Sequence, residues 1–397
     1  MASTLALTVN PGSSTIKFAG FPWEQPEGPA AFRAKIDFSE QPPRLSVSGP
    51  QGQEAYPVKQ GSREDLAGIM REVLEICEAL PAGGQIAAIG HRVVHGGRRF
   101  TGPARITRET LADIEALVPL APLHQPQSVA LIKAVAEIRP ELAQIASFDT
   151  AFHRTQSEIA RRFAIPRALH DEGVQRYGFH GLSYAYIAGR LQEIAPDVAK
   201  GRVVIAHLGS GASLCGLKGG LSVDTTMGFS TLDGLPMSSR CGALDPGVIL
   251  HLLQQRGLDA DAIEDLLYHR SGLLGVSGLS GDTRVLVERS RDRGPEARQA
   301  REAIDLFCFH IARQTAVLAN SIGGLDAVVF TAGIGENQPQ IRAGACMALA
   351  WLGVEIDPRE NARNATRIDS RRMPVSVFVI PTDEEWMIAR EMRALCA

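Results

Sequence analysis

The sequence predicts an α/β fold in which one domain plan occurs twice. Apolar runs of strand length alternate with segments of helical periodicity along the chain. A strand, a Gly-Ser turn and a returning strand open the chain at residues 5–21 and recur at residues 203–217. Setting Gly12-Ser13 over Gly209-Ser210 puts Asn10 over His207. A third glycine-rich element follows a long helical segment: a strand, residues 328–331, running into Gly333 and Gly335. The expected organisation is a duplicated domain with a cleft between the copies.

Each element has its local reason. Residues 5–9 and 15–21 read as strands, because Gly12 admits the backbone angles of a tight turn between them. Residues 22–63 are rich in Pro, Gly and Gln, with short β-like runs. Apolar residues at positions 66, 69, 70, 73, 74, 76, 77 and 80 share one helical face within residues 64–80, and Pro81-Ala82-Gly83-Gly84 ends that helix. Residues 86–94 read as a buried strand entering Gly96-Gly97, and residues 128–138 as a helix stopped at Pro140. Residues 298–322 carry apolar side chains at 304, 307, 308, 311, 315, 318, 319 and 322, a long helix. A strand at 375–380, the run Pro381-Thr382-Asp383-Glu384-Glu385 and a short helix close the chain.

With 397 residues, 45% hydrophobic and 21% charged, the composition is that of a globular protein with more than one core. A formal net charge of −3 supplies no basic field for nucleic acid or an anionic membrane. No stretch approaches the roughly 18 apolar residues of a membrane span, and residues 1–18 lack the pattern of a signal peptide. The six cysteines are scattered, without CxxC spacing, so neither a zinc site nor a disulfide framework is expected and the cytoplasm is the simplest compartment.

The chemistry starts from what is missing. There is no GxxxxGK[ST] loop and no GxGxxG at a first βα turn, which disfavours a P-loop or a dinucleotide site. What remains is three glycine turns after strands, where backbone amides approach an anion closely and Ser or Thr hydroxyls add donors. Lys17, on the strand returning from the first turn, brings a positive charge to the phosphates. Three such turns in one α/β chain, two of them alike, favour a nucleotide.

Longer strings sharpen this. Asn10-Pro11-Gly12-Ser13-Ser14-Thr15-Ile16-Lys17-Phe18 resembles the opening signature of acetate kinases. Gly90-His91-Arg92-Val93-Val94-His95-Gly96-Gly97, Ala121-Pro122-Leu123-His124, Phe148-Asp149-Thr150-Ala151-Phe152-His153 and Tyr177-Gly178-Phe179-His180-Gly181 are similar to further blocks of that family. Ala332-Gly333-Ile334-Gly335-Glu336-Asn337 and Pro381-Thr382-Asp383-Glu384-Glu385 complete the set, in the family's order across nearly the whole chain. The resemblance implies the fold of acetate and sugar kinases, heat-shock proteins and actin. Two ribonuclease-H-like domains would flank a nucleotide cleft, one of residues 1–150 with 384–397 and the other of residues 151–383. It also implies a homodimer.

The implied reaction is reversible phosphoryl transfer from ATP to acetate, giving acetyl phosphate and ADP on the way to acetyl-CoA. Such transfer needs positioning and charge stabilisation more than covalent chemistry. By resemblance Arg92 holds the substrate carboxylate and Arg240 stabilises the transition state, roles that suit a guanidinium fork. His180 is implied to stabilise the transferring phosphoryl group, and His124 to help order the site. Asp149 ends a strand, where a carboxylate can orient an arginine or the acceptor, bind Mg2+ through water, or simply cap a helix. The resemblance gives it an essential role. For the metal, Mg2+ with Mn2+ as an alternative, the resemblance points to Asn10 and Glu384, with Glu385 adjacent. The matched nucleotide stretches are His207, Leu208, Gly209, Ser210 and Gly211; Asp282, Thr283 and Arg284; and Gly333, Ile334, Gly335, Glu336 and Asn337. Val94, Leu123 and Phe179 match the lining of a small apolar acceptor pocket.

The chain departs from the family pattern in four places. Ser230-Thr231-Leu232-Asp233-Gly234 stands for Thr-Pro-Leu-Glu-Gly, so Thr231 replaces a pocket-lining proline. Pro236-Met237-Ser238-Ser239-Arg240 alters the loop that carries Arg240, Ala243 replaces an Asp, and Ser210 an Asn. Two alternatives follow: a kinase for propionate or butyrate, and a non-catalytic nucleotide-binding protein of the same fold. The second need not keep Arg92, Asp149, His180 and Arg240 together.

Overall fold

The computed structural model describes residues 4–12, 15–25, 28–38, 43–50, 52–58 and 65–396. Ser13 and Ser14, part of the first glycine turn, lie outside these residues. The chain divides into two compact units, Met1–Phe152 with Asp383–Ala397, and His153–Thr382.

The first unit is built on strands β1 (Thr4–Pro11), β2 (Thr15–Pro22), β3 (Phe32–Asp37), β4 (Arg44–Gly49), β5 (Gly52–Pro57), β6 (Gln85–Val93), β7 (Ala104–Arg105) and β8 (Ala143–Phe148). Their order is β5-β4-β3-β2-β1-β6-β8-β7. The first five form an antiparallel meander, whereas β1, β6 and β8 run parallel. Both faces of this sheet are covered, so β1 is apolar on both sides. Leu5, Leu7 and Val9 pack with Ile69, Met70 and Val73 of helix Leu66–Ala79. Ala6, on the opposite face, packs with Ala389 and Met392 of the C-terminal helix Glu384–Cys396. That helix lies so close to β6 that a Cβ on Gly90 would come within 2.6 Å of Ile388 Cγ2. The helix expected at 128–138 begins earlier, at Gln125, where Pro126 suits a first turn.

The second unit has strands β9 (Arg202–Leu208), β10 (Ala212–Lys218), β11 (Leu221–Thr225), β12 (Ala327–Thr331) and β13 (Ser376–Val379), in the order β11-β10-β9-β12-β13. β9, β10 and β11 are antiparallel, and β12 and β13 continue in parallel. The first sheet repeats this plan in β3-β2-β1-β6-β8. The internal similarity read from two short strings is therefore a shared topology of five strands. The long helix Pro295–Ile322 backs this sheet and stops at Gly323, whose φ of 78° is a left-handed helix end.

The third glycine turn differs from its expectation. Residues 332–337 form a short helix, Ala332–Asn337, entered through Ala332 at φ 63°. One left-handed residue lets the chain leave a buried strand and start helical turns at once, without a loop.

Candidate active site

In the first unit, three parallel strands end side by side, the usual place for a ligand site in an open α/β sheet. Asn10 lies near the end of β1, and Arg92 near the end of β6. Asp149 follows β8, its backbone N–H donating to Val93 O at 3.1 Å. Arg92 grips Asp149 in a fork, Nη2 to Oδ2 at 2.6 Å and Nε to Oδ1 at 3.1 Å, and gives Nη1 to Asn10 Oδ1 at 3.2 Å. Asn10 Nδ2 donates to Glu384 Oε2 at 3.0 Å and to Glu385 Oε1 at 2.9 Å. Arg33 pairs with Asp383 and also reaches Glu385. Four carboxylates thus face two guanidinium groups. Burial works against the charge of Arg92, but Asp149, Glu384 and Glu385 outweigh it and hold its pKa above the ordinary arginine value. Asp149 is 1% exposed, so this pair is well shielded from water.

Lys17 stands opposite Asn10 across the β1–β2 pair and is exposed. Val94 is buried, whereas Leu123 is 40% exposed. Phe179, the third residue expected in the acceptor pocket, belongs to the second unit and is buried there. His124 is the residue before helix Gln125–Ile138, and its side chain does not cap that helix.

In the second unit, a pocket of about 450 Å3 is lined by Gly209, Ser210, Ser238, Gly281, Asp282, Thr283, Arg284, Gly333, Ile334, Asn337 and Gln338. Each of the three stretches matched to the nucleotide contributes to its wall. Leu208 is fully buried in the sheet, and Gly335 packs on Phe330 and Ala206. Glu336 Oε1 accepts from Thr382 N at 3.2 Å. Asp282 Oδ1 caps helix Thr283–Arg289 by accepting from Arg284 N at 2.8 Å. The Arg284 guanidinium folds back onto the same carboxylate and holds its pKa below the usual range.

Beside this pocket, His180 and His207 stack with ring centroids 4.2 Å apart. His180 Nδ1 pairs with Ser213 Oγ and His207 Nδ1 with Ser183 Oγ, both at 2.8 Å. A Cβ on Gly211 would stand 3.4 Å from His180 Nε2 and 3.8 Å from Arg240 Nη1, so glycine leaves the backbone open beside both side chains. Arg240 Nη1 donates to Thr231 O at 3.1 Å. The exchanged residue Thr231 is buried, and it meets Arg240 through its backbone.

Three supporting residues escaped the sequence reading. Gly272, at φ 59°, lets helix Gly272–Ser277 start against the Arg240 loop; a Cβ there would fall 2.1 Å from Met237 O and 2.7 Å from Arg240 O. Ser238 lines the pocket and ties its N–H to Ser210 O at 3.3 Å. Arg342 is fully buried and donates Nη1 to Gly335 O and Glu336 O, bracing the third glycine element from below. Burial lowers its pKa to about 10. Gly272 and Arg342 stand in no recognisable string, and Ser238 was read only as part of the altered Arg240 loop: the partners of all three come from elsewhere in the chain.

Residues 5–390 match the Acetokinase family. An acetate kinase of Rhodopseudomonas palustris (strain TIE-1) is 48% identical, the alignment covering 98% of each chain. An acetate kinase of Methylocella silvestris is 46% identical over 99% of this chain and 98% of its own. Among solved structures, a propionate kinase from Francisella tularensis superposes with a TM-score of 0.89 at 34% identity, covering 98% of both chains. The acetate kinase of Porphyromonas gingivalis superposes with a TM-score of 0.88 at 32% identity over the full length of both. Two α/β domains of actin-like ATPase type are common to this group. On sequence along its whole length and on fold, the chain belongs to the acetokinase family.

Proposed function

We propose that this chain is a kinase that moves the γ-phosphoryl group of ATP to acetate, reversibly, by direct in-line transfer. The observation that carries the reading is the convergence of three distant stretches, around residues 209, 282 and 333, on one pocket with Arg240 and His180 beside it. Backbone amides and hydroxyls there suit phosphates. Arg240 and His180 are positioned to meet charge developing on the transferring group, where fixed donors stabilise a transition state most.

In the first unit, Arg92 is the carboxylate-binding residue of this reading, with Asp149 setting the orientation of its guanidinium. Val94 and Leu123 of the same unit are the apolar acceptor-lining residues of this reading, and the family match assigns Phe179 the same role. Asn10 and Glu384 would hold Mg2+: Glu384 and Glu385 beside Asn10 supply carboxylate oxygens that suit a cation, and two oxygen ligands suffice for an ion that keeps most of its waters. Bound with the nucleotide, that ion supplies neutralisation of phosphate charge.

The chain acts in the cytoplasm as a homodimer, within acetyl-CoA biosynthesis. None of the six cysteines forms a disulfide, which favours a reducing compartment. Among the described residues, no helix is long and apolar enough to cross a membrane. Helix Pro246–Gln254 buries none of its residues although it presents Val248, Leu250 and Leu253, a surface suited to a second copy.

The test is hydroxamate formation from ATP, Mg2+ and hydroxylamine with acetate, propionate or butyrate. Acetate is expected to react best and propionate next, since one methylene discriminates only about 10- to 200-fold. Arg240→Ala is expected to abolish the signal. A far higher kcat/KM for propionate or butyrate would move the acceptor assignment, an outcome favoured by the exchange at Thr231. ATP binding without turnover of any acid would leave a nucleotide-binding protein.

A further inference from the structure

His153 closes the family-like string that begins at Phe148, yet nothing in the reaction above uses it. It is 1% exposed and lies beneath the turn that presents His180. Its Nε2 stands 2.9 Å from Phe179 O, the carbonyl just before His180. A carbonyl can only accept, so Nε2 carries the proton. Nδ1, 2.9 Å from Ser222 Oγ, therefore accepts, and the serine hydroxyl donates to it. Gln156 Nε2 donates to the same Ser222 Oγ at 3.3 Å, which orients the hydroxyl. Cys215 Sγ lies 3.9 Å from Nδ1, and burial pushes its thiol up to about 12, so it stays neutral. Burial likewise lowers the pKa of His153 to about 4, although the Phe179 carbonyl favours the charged form.

What this imidazole holds is strained. His180 has φ 58°, a left-handed conformation that an L residue adopts only at a cost. Gly178 adopts φ 79° two residues earlier; a Cβ there would come within 2.5 Å of the His153 ring. The ring thus packs under Gly178 and bonds the carbonyl after it. From the other side, Gly228 O accepts from Tyr177 N at 3.0 Å. Strain of this kind persists only where the surroundings over-determine it.

We propose that His153 is a positioning residue for the transfer: by holding the Phe179 carbonyl it fixes the left-handed turn that presents the His180 ring. This rests on the reading of His180 as a group that meets the transferring phosphoryl. Small misplacements of such a group are costly, up to about 100-fold for 1 Å.

The experiment compares wild type, His180→Ala, His153→Asn and His153→Gln in the hydroxamate assay, with fold checked by circular dichroism. Glutamine places an amide N–H where Nε2 stands; asparagine is too short to do so. His153→Asn is expected to lower kcat by about 100-fold with KM for ATP little changed. His153→Gln is expected to recover most of that loss. If His153→Asn does not fold, Ser222→Ala carries the test, with a loss of kcat expected while ATP binding is retained. A folded His153→Asn with wild-type kcat would overturn the proposal, as would equal losses in the Asn and Gln variants. Full activity in His180→Ala, or no hydroxamate from wild type, would instead remove the reading beneath it.

Discussion

The imidazole of His207 lies almost flat against that of His180, their planes 18° from parallel, and each ring is tethered through Nδ1 to a serine of the same unit. His207 occupies the position at the end of β9 that Asn10 occupies at the end of β1. The duplicated plan thus places a polar side chain at both equivalent strand ends. Ser213 also meets the Tyr184 hydroxyl, so it links His180 to the helix Gly181–Ile194 that follows. Ser213→Ala removes a hydrogen bond of about 1 kcal/mol, and kcat in the hydroxamate assay is expected to fall about 5-fold with Tm little changed.

The Arg92–Asp149 fork is the second test. Arg92→Gln leaves Asp149 buried next to Glu384 and Glu385 with their main counter-charge gone. Breaking a shielded pair costs about 3–5 kcal/mol, and activity is expected to fall by about 1,000-fold. Urea melts and steady-state rates measure the two effects. Wild-type activity in a folded Arg92→Gln variant would remove Arg92 from the acceptor site.

Gly272 carries the third. Alanine there is strained by its positive φ and drives a Cβ into the backbone of Met237 and Arg240, which cannot swing aside as a side chain would. Gly272→Ala is expected to cost about 1–2 kcal/mol of strain and to displace Arg240, with kcat lowered by up to about 100-fold. Parallel measurement of kcat and Tm separates displacement from unfolding.

Arg342→Leu removes the donors under Gly335 and Glu336 as well as those to Asn361 and Asn364. Stability is expected to drop by about 3 kcal/mol and, on the proposed reading, KM for ATP to rise roughly 10-fold, since the turn lining the pocket loses its support. Isothermal titration with ATP checks the binding arm. Equal ATP affinity in a folded variant would show that this brace is not needed for the pocket.

Acid should unfold the protein through its buried histidines. Burial lowers the pKa of His91, His95 and His153 to about 4, the Gln144 side chain partly opposing it at His91. In the unfolded chain these groups take protons near pH 6.5, whereas the folded chain stays neutral until about pH 4. Stability is therefore intact above pH 6.5 and falls as pH drops from 6.5 to 4, by on the order of 3 kcal/mol per histidine. Urea midpoints at pH 7.5, 6 and 5 measure the slope. Replacing His91 by Gln is expected to flatten it.

Much of this was legible along the chain. The hairpins at Asn10 and His207 could be read because a strand–turn–strand unit is local, and so could the long helix ending at Ile322, whose apolar spacing is local too. The short helix after Thr331 was not, because it depends on the left-handed backbone of Ala332, which no propensity favours. Gly272 and Arg342 were equally hidden: a glycine matters through what its missing Cβ would strike, and an arginine through carbonyls that come from other segments.

The sequence by itself determined the alternation of elements, the duplication and the residue types at the strand ends, since periodicity and turn chemistry act between near neighbours. Only the tertiary structure decided that residues 209, 282 and 333 line one pocket, that Arg92 closes on Asp149, and that His153 carries the turn before His180. Those relations join atoms distant in the chain. They are set by strand order, by burial of both sheet faces and by hydrogen bonds that must be satisfied once water is excluded.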